Sequence, residues 1–153
     1  MAYYILSAMA MLGCKDIIET IKTYFGAMLD VGATTFFEDF NLEWTKNSGR
    51  IDKLPKEGQF DIHGDFGNCC YKGLRHSLCH GWASGVYAFV IEKIVGLTVN
   101  DCYKSITVKP NLCGLKTVSA VIPSKFGKIV IDIDGDNINV IAPDEIKVII
   151  GDE

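Results

Sequence analysis

The chain contains no cluster of lysine or arginine, and its formal net charge is −4. A nucleic-acid partner requires cationic side chains to replace the counterions of its phosphates, so nucleic acid is excluded. No apolar run approaches the roughly 20 residues that a bilayer-spanning helix takes, and no membrane association is expected. The most apolar stretch, Met1–Leu12 (MAYYILSAMAML), includes Ala8-Met9-Ala10, which looks like a small-residue cleavage site. An export signal carries positive charge ahead of its apolar run, and none is present, so this stretch is expected to be a buried helix and the chain cytoplasmic. The 6 cysteines, at 14, 69, 70, 79, 102 and 113, form no CxxC pair, and two are adjacent. They fit a disulfide framework poorly and are expected to be reduced, mostly core thiols. Internal repeats and low-complexity segments are missing as well.

What remains is an ordinary globular composition: 153 residues, 48% hydrophobic and 22% charged. This is the size of one domain. Tyr3–Leu12 reads as a helix stopped by Gly13, apolar on nearly every side and therefore buried on most of its circumference. Asp16 can cap a second helix, with Glu19 at the capping-box position and Ile17, Ile18, Ile21, Tyr24, Phe25, Met28 and Leu29 at helical spacing. The two helices form a hairpin across Gly13-Cys14-Lys15. Residues 41–67 are polar and glycine-rich without a sustained period, and are expected to lie over the segment that precedes them. From His76 or Ser77 to Gly96 the pattern is helical again, with Ser77 as a possible cap. After Gly96 it alternates, giving short strands over 103–108, 115–122, 128–133, 137–141 and 146–150. Asp134-Gly135-Asp136 supplies a tight turn, and Pro110, Pro123 and Pro143 are placed in connections. The expectation is an α+β chain in two parts: helices over 1–96, then a small antiparallel β-domain over 97–153. Three apolar helices and five strands do not complete either layer, so the chain is expected to associate with another or to be the end of a larger protein.

Val31–Phe40, VGATTFFEDF, sets the pair Glu38-Asp39 among Phe36, Phe37 and Phe40, behind Gly32 and two threonines. A carboxylate among aromatic rings is costly to desolvate unless it is hydrogen-bonded or works on a polar ligand, and sugar-processing sites are built from such mixtures. The plainer reading is that Gly32 ends a helix, the threonines cap the next element and Glu38 faces water. His80 stands between glycines, Gly81 and Gly85 being one turn apart, where a ligand or another backbone can approach. Trp44 and Trp82 could stack on a sugar, with core packing expected for Trp82. His63, Asp65, Cys69, Cys70, His76, Cys79 and His80 are residue types that bind zinc, but their spacing lacks a paired signature. No metal and no cofactor is therefore expected.

VGATTFFEDF followed by SLCHGWASG, and then by KSITVKPNLCGLKTVSAVIPSKFGKIVIDI, resembles the C-terminal end of bacterial α-L-rhamnosidases, glycoside hydrolase family 78. The resemblance covers nearly the whole chain. It implies that residues 1–96 are the last hairpins of an (α/α) six-hairpin toroid and that residues 97–153 form the β-sandwich that follows it. It also implies inverting hydrolysis of terminal α-L-rhamnosides. The family's Gly-Ala-Thr-Thr-aromatic-aromatic-Glu motif places the general base on Glu38, and its Ser-x-x-His motif places a sugar contact on His80; Phe37, beside the base, and Trp44, by its ring, are further expected sugar contacts. Relatives usually carry Trp where Phe37 stands, so an indole N–H donor is lost here. The family's general acid lies upstream of the matched segment, which implies a fragment that is inactive alone. The implied partners are carbohydrate and either the missing N-terminal part of the catalytic domain or a second copy. The alternative is a non-catalytic carbohydrate-binding or assembly module.

Overall fold

The computed structural model describes residues 2–60 and 77–151, with Trp44 described by its backbone alone. The chain is mixed α+β and divides into two compact units, Met1–Ile5 with Asp16–Val86, and Leu6–Lys15 with Tyr87–Glu153. Among the described residues no helix is long and apolar enough to cross a membrane.

Helix α1 spans Ala2–Met11 and α2 spans Ile17–Asp30. Both end as the glycines require. At the end of α1 the Cys14 amide donates to the Met9 carbonyl and the Gly13 amide to Ala10. At the end of α2 the Ala33 amide donates to Met28 and the Gly32 amide to Leu29. Gly13 has φ +68° and Gly32 φ +82°, so each end is a Schellman motif with glycine at its left-handed position. The start of α2 departs from expectation, because the Asp16 side chain makes no cap hydrogen bond. The expected burial of α1 also fails within this chain. Leu6 is its buried residue, whereas Tyr4 and Met11 are 66% and 88% exposed.

In the first unit, Met28, Val31, Ala33 and Phe37 form a buried cluster, with Tyr24, Phe25, Phe40, Ile51 and Leu78 packed against it. Edge-to-face ring pairs, Tyr24 with Phe40 and Phe25 with Phe36, extend it. A four-residue helix α3, Leu42–Thr45, starts where the Asn41 side chain accepts the Glu43 amide. The polar stretch after it was expected to cover the Glu38 segment. Its described part instead secures the end of α2: the Ile51 amide donates to the Val31 carbonyl and Arg50 Nη1 to the Asp30 carbonyl. These bonds occupy carbonyls that the helix end leaves open. Arg50 also holds Asp52 through two bonds of 2.8 Å, directly over Gly32.

Two outcomes follow at this helix end. Gly32→Ala is expected to cost about 1–3 kcal/mol, because the new Cβ would meet Asp52 Oδ1 at 2.8 Å while φ stays positive. Urea unfolding reads this as a lower midpoint. The Arg50 guanidinium beside Asp52 holds that carboxyl below its ordinary value, so its stabilising contribution is present above about pH 4 and is lost as pH falls through the lowered value. Acid unfolding of Asp52→Asn, compared with the parent, is expected to lack that part of the pH dependence.

The second unit carries two three-stranded sheets, β1 (Leu97–Asn100), β2 (Ser105–Val108) and β6 (Lys147–Ile150) in the order β1-β2-β6, and β3 (Thr117–Ser124), β4 (Gly127–Asp134) and β5 (Asn137–Ile141) in the order β3-β4-β5. The expected antiparallel arrangement holds for the second sheet, but in the first β2 pairs with β6 in parallel. Leu97, Ile106 and Val108 from the first sheet share one buried cluster with Ile129, Ile131 and Ile133 from the second. The alternation of β4 accounts for its share, since every second residue points into that cluster. Gly135 and Asp136 form the two-residue turn between paired Asp134 and Asn137, as the sequence suggests. Pro123 lies inside β3 rather than in a connection, which an edge strand tolerates.

The segment before β1 was expected to be one helix from residue 77 onward. It is instead irregular over 77–80, a 3₁₀ turn over Gly81–Ser84, a short α4 over Gly85–Phe89 and a π turn over Val90–Ile94. Glycine at 81 and 85 weakens helix propagation, and the backbone of 77–80 is bonded elsewhere. Of the cysteines, Cys79 and Cys102 are exposed rather than in the core, Cys14 and Cys113 are partly buried, and all four are free thiols.

Candidate functional site

Glu38 and His80, both singled out in the sequence, meet where two irregular segments are joined by hydrogen bonds. After the Schellman end of α2 the chain runs out through Thr34 and Thr35 to Glu38. Residues 77–80 run alongside it. The Glu38 amide donates to the Ser77 carbonyl and the His80 amide to the Phe36 carbonyl, each at 2.8 Å. Thr35 Oγ1 donates to the Leu78 carbonyl at 2.5 Å. Ser77 returns the contact, its amide donating to Glu38 Oε2 at 2.9 Å. Leu78 between them packs into the Phe37 cluster.

The result is a carboxylate and an imidazole side by side. Glu38 Oε2 lies 3.9 Å from His80 Nδ1, and the two side chains are 33% and 31% exposed. Each is held by a backbone bond and partly exposed to solvent. The Ser77 N–H gives the carboxylate one hydrogen bond from the backbone, which fixes Oε2 in place. Such a group can accept a proton from a water or bind a sugar hydroxyl, and the imidazole beside it can donate to or accept from another hydroxyl.

His80 was expected on a helix. It precedes one, with extended φ −101° and ψ 110°. Among the described residues nothing lies within 4 Å of where a Cβ would stand on neighbouring Gly81. Gly85 serves packing instead, its missing Cβ admitting Tyr3, whose Cβ would be 2.9 Å away.

The other candidates fall differently. Phe37 is 1% exposed inside the core cluster, so its ring supports the Glu38 segment from beneath and is not presented to a sugar. The physical reason is packing: the Phe37 ring fills the cluster of Met28, Val31 and Ala33, while the Glu38 carboxylate is held by the Ser77 amide. Trp44 lies on α3, and its side chain is outside the described residues. Trp82 is 76% exposed, which overturns the expectation of core packing. Of the zinc-type residues, His63, Asp65, Cys69, Cys70 and His76 lie outside the described residues. Among the described residues no group of three His, Cys, Asp or Glu could hold a metal ion.

Sequence reasoning misses two contributors. Composition suggests a helix cap for Thr35 and another for Ser77, whereas both residues fasten one segment to the other. Only the polar character of the two threonines hints at this. Nearby, burial and then the negative charge of Asp39 push the Tyr24 hydroxyl above its ordinary pKa, and that hydroxyl donates to the Phe40 carbonyl. Compared with family models the chain matches none, and a search of curated proteins finds no significant match.

Proposed function

We propose that the chain is the C-terminal portion of an α-L-rhamnosidase-like inverting glycoside hydrolase, with Glu38 as general base and His80 as a contact to the terminal sugar. The observation that carries this reading is the 3.9 Å approach of the Glu38 carboxylate to the His80 imidazole, both of them partly exposed. In this reading Glu38 takes a proton from the water that attacks the anomeric carbon. The Ser77 amide engages Oε2 and leaves Oε1 to face that water. His80 holds a ring hydroxyl in register with it. The helices of the first unit would belong to the end of a six-hairpin toroid. The two sheets that share a core are compatible with a small β-sandwich.

Inversion needs a second carboxyl group about 6.5–9.5 Å from the base, to protonate the leaving oxygen. Neither the Glu38 motif nor the His80 motif supplies it, so the chain by itself is expected to release no product from an aryl α-L-rhamnoside. Product release abolished by Glu38→Gln would overturn that expectation. The binding half is tested directly on the chain. Titration of isotope-labelled protein with L-rhamnose is expected to shift the His80 ring and Glu38 amide resonances, and His80→Ala is expected to remove the response. Silence at those resonances up to the solubility of the sugar would sink the reading.

A second reading has its own observation. Met11 and Leu12 in the second unit are 88% and 81% exposed, open apolar surface that a monomer rarely keeps. An assembly module, recruiting a separate catalytic half or a second copy, would cover them. Recovery of rhamnosidase activity on mixing with a segment that bears the general acid would favour it.

A further inference from the structure

Four bonds join residues 35–38 to residues 77–80, and three of them use backbone groups at both ends or a backbone group and Glu38 itself. The fourth is different. Thr35 Oγ1 reaches across to the Leu78 carbonyl, the only bond of this clip made by a side chain outside the Glu38-His80 pair among the described residues. Leu78 lies between Ser77, whose amide engages the Glu38 carboxylate, and His80, whose amide is held by Phe36. A tether at that point controls both ends at once. Without it, Ser77 and His80 would be held only by the remaining bonds of the clip and by the packing of Leu78. The core beneath is secured independently, by Phe37 and Leu78 packing among Met28, Val31 and Ala33.

We infer that Thr35 is a positioning residue, whose hydroxyl fixes the spacing of the Glu38 carboxylate and the His80 imidazole by clamping the Leu78 carbonyl. The inference rests on the reading of these two groups as a sugar site, but its geometry stands apart from the identity of the ligand.

Two variants of the full chain test it. Thr35→Val keeps the shape and removes the hydroxyl, and Thr35→Ser keeps the hydroxyl. Hydrogen exchange at the Glu38 and His80 amides is expected to quicken roughly threefold to tenfold in Thr35→Val, the range for losing one hydrogen bond, and to return towards the parent rate in Thr35→Ser. Exchange in the middle of α2 should be unchanged in both, which separates local release from general destabilisation. L-rhamnose affinity, read from the His80 ring resonances, is expected to fall in Thr35→Val by a similar factor and recover in Thr35→Ser. Unchanged exchange at Glu38 and His80 in Thr35→Val overturns the inference. So does rhamnose affinity equal to the parent's in Thr35→Val when the parent binds. If the parent does not respond to rhamnose at all, the sugar-site reading fails, and the exchange arm alone decides for or against Thr35.

Discussion

Gly96→Ala is expected to unfold the second unit, or to lower its stability by more than about 3 kcal/mol. Gly96 follows the π turn closed by the Val95 amide on the Val90 carbonyl, and it leads straight into β1. Its φ is +73°, a left-handed conformation that costs an L-residue about 1–2 kcal/mol. Steric overlap costs more. A Cβ there would overlap the Lys109 carbonyl and stand 2.7 Å from Pro110 N. Backbone cannot rotate out of the way as the end of a side chain can. It is also pinned, since the Lys109 amide donates to Gly96 and the Asn111 amide to Ile94. Relief would require parting β1 from β2 at the Leu97 and Val108 pair, both of them core residues. Urea unfolding followed by far-ultraviolet circular dichroism measures the loss. A midpoint within error of the parent would show that Gly96 and Lys109 stand farther apart in solution.

The second large effect belongs to the proposed chemistry. When this chain is combined with the segment that carries the general acid, Glu38→Gln is expected to lower kcat by about 10²–10⁴-fold, the usual worth of a positioned acid or base. KM should change little, because glutamine keeps the shape and can still accept the Ser77 amide. His80→Ala should do the reverse in the main, raising KM more than it lowers kcat, as loss of a binding contact does. Steady-state kinetics on an aryl α-L-rhamnoside separates the two. Equal losses in kcat for both variants would argue that the pair works as one unit and would reassign His80 to the chemical step.

Much of the fold is legible where a local rule decides it. Gly13 and Gly32 end helices because only glycine takes their left-handed positions at no cost, and the sequence shows both. The alternation of Ile129, Ile131 and Ile133 announces a strand with one buried face. Residues 77–80 are misread as helix, because their apolar composition suits one and their hydrogen-bond partners lie at Phe36 and Glu38, far away in sequence. The same distance hides the tether from Thr35. Four-residue β1 is too short to show a period. Phe37 and Trp82 each stand on the opposite side of the surface from the one expected, since hydrophobicity alone does not say which aromatic residue a fold turns inward. Glu38 and His80 stand out through motif resemblance, and nothing in the spacing of the two segments would have brought them within 4 Å.

One arrangement in the second unit bears on how each copy is made. Strand β2 acquires its parallel neighbour from Lys147–Ile150, after the whole β3-β4-β5 meander. During synthesis, therefore, Ile106 and Val108 leave the ribosome long before the strand that completes their sheet. Until then the open side of β2 is a bare template for pairing with any other chain, the situation that invites aggregation. Deleting Lys147–Ile150 would restore that bare edge in the finished molecule, so yield on expression should fall far more sharply than the loss of four residues would suggest.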